Sequence, residues 1–293
     1  MDYVEDFAYY LKNERTLRES TIDSYIRDIR NFYEYVYKSN LSVKSVTAPK
    51  IAIYLGFLKK NGRAKTTISR NLASIRSYFH FLENKEYIDE NPTLNLEVPK
   101  VEKRLPSVLT KKEIRTLLDQ PDINGIKGLR DKTMMELLYA TGVKVSELVF
   151  FDIDDIDVYN SVVNCRSSIN KHRTVPMGSI CLKYIKLYLD DVRNKFAPKE
   201  DEKALFLNFS GKRLTRQGFW KIVKQYTEKA NISKTITPQT LRHSFAVHLI
   251  ENGADLESLK EMLGHADIST TQIYNKINDD KIRRVYDKTH PRA

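Results

Sequence analysis

The sequence predicts a mainly α fold with a small β-sheet confined to the second of two domains. Three observations carry this expectation. Apolar residues recur at helical spacing through the first hundred positions. A run containing Asn91-Pro92, Pro99 and Pro106, with Lys100, Lys103 and Arg104 among them, then breaks all periodicity. Beyond it, helical patterns resume on both sides of one short strand–turn–strand segment. A chain of 293 residues also exceeds one average domain and suits two of unequal size.

In order along the chain, Val4, Phe7, Tyr10 and Leu11 form the first apolar stripe. Ser20, with Asp23 completing a capping box, is expected to open a second helix. Its inward face would be Ile22, Tyr25, Ile26, Ile29, Phe32, Tyr33 and Val36. Pro49 marks a third start, followed by Ile51, Tyr54, Leu55 and Leu58, and Asn61-Gly62 marks its end. A fourth helix is expected from Thr66 or Thr67, with Ile68, Leu72, Ile75, Phe79 and Leu82 inward. Four such helices close a small bundle.

The second domain is expected to begin near Leu109, with Thr110 and Glu113 as a capping box over Ile114, Leu117 and Leu118. Arg130 to Leu148 reads as helical with an interruption at Thr141-Gly142. Val158 to Cys165 and Arg173 to Pro176 read as strands joined by a turn, and Ala204 to Asn208 as a further strand. Helical patterns return at Gln217 to Ala230, Thr240 to Asn252 and Leu256 to Leu263. The expected boundaries are 1–98 for the helical domain, 99–108 for the linker, 109–276 for the larger domain and 277–293 for a terminal helix and tail.

Composition narrows the partner. The 49 basic and 38 acidic side chains give a formal net charge of +11, which favours a polyanion because each neutralised phosphate releases counterions. A basic enzyme, a ribosome-associated factor and an anionic membrane surface remain open on charge alone. With 41% apolar and 30% charged residues, and no apolar run near membrane-spanning length, the chain reads as a non-membrane protein. Its acidic, amphipathic N-terminus does not read as a signal peptide. Cys165 and Cys181 form no metal-ligand pattern and need no disulfide, so a cytoplasmic location is the expectation.

Ordered motifs in the second domain then carry a resemblance. Leu138-Tyr139-Ala140-Thr141-Gly142-Val143-Lys144-Val145-Ser146-Glu147-Leu148 resembles the first arginine box of the Xer branch of the tyrosine site-specific recombinases, the phage integrase family. Leu214 to Trp220, Thr237 to Ala246, Leu263 to Tyr274 and the ending His290-Pro291-Arg292-Ala293 are similar to later segments of that branch. The resemblance implies a helical core-binding (SAM-like) bundle and a recombinase catalytic-type domain, closing as a C-shaped clamp on double-stranded DNA. It implies phosphoryl transfer with no metal or other cofactor. A tyrosine attacks the scissile phosphate, forms a 3′-phosphotyrosyl link and stores the bond for rejoining. Such chemistry needs donors for the non-bridging oxygens and an acid for the leaving alkoxide.

On that resemblance Tyr274 matches the nucleophile and Arg242 the second phosphate-clamping arginine, whose planar fork holds two oxygens. His265 would donate to the phosphate or orient the hydroxyl, a satisfied structural histidine being the plainer alternative; His243 is expected to support. Three positions depart. Lys144 stands where the family has arginine, keeping charge and losing the fork. Loss of one oriented transition-state donor costs roughly 3 kcal/mol, about a hundredfold in rate. Ser168 stands where a strand-turn lysine is expected, with Lys171 nearby in sequence as the candidate support. Gln239 stands where histidine or lysine is expected, and an amide carries no titratable proton. Impaired strand cleavage is therefore expected, without summing effects that act as a unit.

Arg63, Lys65, Arg70 and Arg76 around the fourth helix, with Arg173, Arg216, Lys221 and Lys224 later, are expected to face DNA, mostly at phosphates. A solvated charged surface is the alternative for each. The family's tail packs into a neighbouring protomer, so residues 277–293 are expected to support self-association or contact with a partner recombinase on nucleoid DNA. Three functions stay open: a DNA-binding protein with a disabled centre, an active recombinase, or an interaction protein that no longer uses DNA.

Overall fold

The computed structural model describes residues 3–38, 43–96, 107–166, 172–197 and 199–264. The chain divides into two compact units, residues 1–103 and 104–293. Most of the expected linker, 99–106, lies outside the described residues, as do the Ser168–Lys171 turn, His265, Tyr274 and the 277–293 tail. Among the described residues no helix is long and apolar enough to cross a membrane.

The first unit contains α1 (Val4–Asn13), α2 (Glu19–Lys38), α3 (Ala48–Lys60) and α4 (Lys65–Asn84). The apolar stripes meet as their spacing requires: Phe7, Leu11, Ile29, Phe32, Ile51, Tyr54, Leu72, Ile75, Phe79 and Leu82 share one core. Aromatic edges lock it, with Phe7 against Tyr78 at 5.1 Å and Phe32 against Tyr54 at 5.1 Å. Thr47 precedes α3 with Pro49 in its first turn, and Asn61 ends it.

In the first unit two helix starts, those of α2 and α4, differ from expectation. α2 begins at Glu19, so Ser20 lies inside the first turn, and its carbonyl accepts the Ser24 hydroxyl at 2.8 Å. Arg18 takes the flanking place, its carbonyl accepting the Thr21 and Ile22 amides. α4 begins at Lys65, one residue before Thr66, after Ala64 in extended backbone.

The second unit contains α5 (Lys111–Leu118), α6 (Ile126–Thr141), α7 (Val145–Phe150), β1 (Ile156–Asp157), β2 (Val162–Arg166), β3 (His172–Pro176), α8 (Ser179–Leu187), α9 (Arg216–Lys229), α10 (Pro238–Glu251) and α11 (Leu256–Leu263). The Thr110–Glu113 capping box forms as expected. α6 starts at Ile126, earlier than its pattern suggested, because its charged residues are interior. Arg130 pairs with Asp131 at 2.7 Å and Lys132 with Glu136 at 2.8 Å, while Met134, Met135, Leu137 and Leu138 are fully buried. A helix buried all round has no polar face to mark its period.

The sheet is antiparallel in the order β1-β2-β3, with Val163 opposite Val175 and Cys165 opposite Arg173. The first expected strand starts only at Val162, since residues 158–161 turn, with the Asn160 amide donating to Asp157 at 2.8 Å. Ala204 to Asn208 forms two isolated bridges and no strand. Ala204 to Leu207 are buried, but side chains take three of their carbonyls: Arg193 that of Ala204, Tyr188 that of Leu205, and Arg130 that of Leu207. α8 was not anticipated from the sequence.

Candidate active site and nucleic-acid surface

Two helix ends and one strand converge to build the described part of the site. α6 stops at Gly142, whose left-handed backbone (φ 59°) closes the helix as its amide donates to Leu138 O at 2.9 Å. A side chain there would also strike the Phe245 ring of α10, 2.2 Å from where Cβ would sit. The chain then passes through Val143 and Lys144 into α7. The Lys144 amide donates to Glu147 Oε2 at 2.7 Å, which seats the first turn of α7.

Glu147 is the centre of this region. Arg173 of β3 donates from Nη1 to Glu147 Oε1 and from Nη2 to Oε2, both at 2.8 Å. Burial pushes the Glu147 carboxyl up, but the Arg173 fork outweighs it and holds the group below its ordinary range. Arg173 Nε donates to Met262 O, in the last turn of α11, at 2.8 Å. Burial likewise pushes the Cys165 thiol, opposite Arg173, up to about 12, so it stays an unreactive apolar filler.

Arg242 comes from α10, a helix opened by Thr237 and Pro238. It is 2% exposed. Its Nη1 donates to Gly142 O and its Nη2 to Leu263 O at 2.7 Å. Arg173 and Arg242 thus hold neighbouring carbonyls at the end of α11, where a helix presents unsatisfied oxygens and partial negative charge. α11 itself starts at Asp255, whose Oδ1 accepts the Glu257 and Ser258 amides, and ends at Gly264 (φ 63°). His243 is half-buried; burial and then the neighbouring Arg242 cation push its pKa down, so it stays neutral near pH 7. Gln239 is exposed in the first turn of α10, and Lys144 is half-buried.

Expected DNA-facing residues fall into two groups. Arg63, Lys65, Arg216, Lys221 and Lys224 are exposed. The last three share the open face of α9 with Gln217 and Trp220, and the Lys224 ammonium lies 5.8 Å from the Trp220 ring. Arg70, Arg76 and Arg173 are engaged inside their own units. Arg70 pairs with the buried Asp28 at 2.5 Å, and Arg76 donates to Leu96 O. Glu147 had no role assigned from the sequence, although its place three residues after Lys144, where a box acid sits, was a readable signal.

Helical bundle, mixed second unit and the arginine frame together define a class. The profile described as "Phage integrase family" matches residues 107–281, and "Phage integrase, N-terminal SAM-like domain" matches residues 4–86. The chain belongs to the phage integrase family, with the mainly helical SAM-like and catalytic-type fold of that family. Its homology lies on the Xer branch. It is 42% identical over 291 residues to tyrosine recombinase XerD of Staphylococcus epidermidis, covering 99% of each chain. It is 44% identical over 292 residues to tyrosine recombinase XerD of Halalkalibacterium halodurans, covering 99% of this chain and 98% of that one. Among solved structures, XerA recombinase is similar at 29% identity and TM-score 0.56, with 99% of each chain covered. XerH bound to its difH substrate shares the fold at TM-score 0.77 and 20% identity, over 96% of this chain and 83% of that one.

Proposed function

We propose that this chain is a double-stranded DNA-binding protein of the tyrosine recombinase type whose own strand cleavage is impaired. One observation carries the impairment: the side chains at three assigned positions. Lys144 supplies charge without a fork, Ser168 supplies no ammonium, and Gln239 supplies no titratable proton. The net charge of +11 and the basic face of α9 support binding to a polyanion. Tyr274 is the assigned nucleophile, with Arg242 and His265 as its assigned phosphate partners and His243 and Lys171 as supports; a phosphate on Arg242 would have to share or displace the Gly142 and Leu263 carbonyls that its Nη atoms now hold. Residues 277–293 are the assigned contact with a second protomer or partner recombinase, and nucleoid DNA the place of action. The domain division 1–98, 99–108, 109–276 and 277–293 belongs to the same proposal.

A second reading, an active site-specific recombinase acting through a 3′-phosphotyrosyl intermediate, draws on the full-length identity to relatives named tyrosine recombinase. A duplex carrying the target site and a nick beside the scissile phosphate separates the two. Impairment predicts little or no Tyr274-dependent covalent adduct on a denaturing gel, and a marked gain in the variant Lys144→Arg/Ser168→Lys/Gln239→His. A prompt adduct from the unaltered chain, absent in Tyr274→Phe, favours the active enzyme. Failure of the chain to hold any duplex at low salt removes both and leaves an interaction protein.

A further inference from the structure

Arg173 meets three chain segments at one point. It sits on β3, two residues after Lys171 in sequence. Its fork grips Glu147 in the first turn of α7, and its Nε grips Met262 in the last turn of α11. Each guanidinium nitrogen therefore has a protein acceptor, and the side chain is 14% exposed. The approach of α11 is close: a Cβ on Gly264 would lie 2.7 Å from Arg173 Nη1. His265 follows Gly264 directly, and the same chain continues to Tyr274.

We propose that Arg173 is a positioning residue and not a phosphate contact: it fixes α7, the β2–β3 hairpin and the end of α11 in one frame. That frame fixes Gly264, which directly precedes His265 in sequence. Only a planar fork with a third donor can serve all three acceptors at once; an ammonium at the same place keeps the charge and loses the geometry. Arg242, on Leu263 O, braces the next carbonyl. The proposal deepens the assignment of this site and does not depend on whether the site cleaves DNA.

Amide hydrogen exchange of the full-length protein without DNA, joined to the salt dependence of duplex retention, tests it. In both Arg173→Lys and Arg173→Gln, the Leu263 and Gly264 amides should exchange about tenfold faster, the effect of one lost charge-assisted hydrogen bond. Amides of α2 should not change, and the salt slope of duplex binding should stay that of the unaltered chain. Glu147→Gln, which keeps the Arg173 charge, should speed the same amides and decides the matter if the Arg173 variants fold poorly. Normal exchange and binding in Arg173→Lys, with the slope falling by about one in Arg173→Gln, would make Arg173 a phosphate contact and overturn the proposal. Uniformly faster exchange across the second unit would overturn it too, reducing Arg173 to a general stabiliser. Loss of DNA binding by the unaltered chain strikes the proposed function alone, since the exchange result is read without DNA.

Discussion

Glu147 carries a charge that the Arg173 fork, and then the Lys144 amide and ammonium, hold against the cost of burial. Its pKa in the fold lies below the ordinary 4.5, so its contribution to stability is present above that value. That contribution disappears as pH falls below 4.5 and through the lowered pKa. In Glu147→Gln this acid-sensitive component should vanish, giving a shallower loss of second-unit stability between neutral pH and the acid range. Denaturant unfolding at a series of pH values checks it; an unchanged pH profile would show the pair to be unimportant. At this scale the sequence displayed identities and not partners. Lys144, Ser168 and Gln239 stood out because their chemistry differs from what the family motif demands. Glu147 did not stand out, because its significance lies in Arg173, distant in sequence and brought near only by the β2–β3 hairpin.

At the scale of elements, caps explain which boundaries could be read. Thr110 accepts the Glu113 amide at 3.2 Å while Glu113 accepts the Thr110 amide at 2.7 Å, a closed local circuit. Ser20 makes no such circuit and lies inside α2. Thr110→Ala should therefore lower second-unit stability by about 1 kcal/mol, while Ser20→Ala should change first-unit stability by less than about 0.5 kcal/mol. Equilibrium unfolding of each variant measures both. Gly142→Ala is a stronger test, because it combines a positive φ with collision against Phe245. We expect a loss of about 2–4 kcal/mol from overpacking and backbone strain together. A near-neutral result would mean that α6 and α10 are not packed as described. The missing strand at 204–208 belongs to this scale as well: apolar content signalled burial, but whether carbonyls meet a strand or side chains such as Arg193 depends on the tertiary surroundings.

For the molecule as a whole, the relevant quantities are charge and its distribution. Among the expected cations, Arg63 and Lys65 on the first unit and Arg216, Lys221 and Lys224 on the second are exposed. Lys221→Ala/Lys224→Ala should weaken duplex retention across unrelated sequences and lower the salt slope by about two, as two phosphate contacts would require. Filter binding at a series of salt concentrations reads this. Weakening confined to one sequence would instead assign these lysines to base recognition.

Periodicity, a property of neighbouring residues, was enough to identify the helical bundle and the core of the first unit. The resemblance of short ordered motifs is what proposes roles for Arg242 and Tyr274. Tertiary structure decided the rest: that α6 is interior despite its charges, that Arg70 and Arg173 are bound within the protein, and that Arg173 and Arg242 together hold the end of α11. The division has a physical cause. Helical spacing and capping are set by residues a turn apart, whereas the partner of a guanidinium is chosen by whichever distant carboxylate or carbonyl the fold delivers to it.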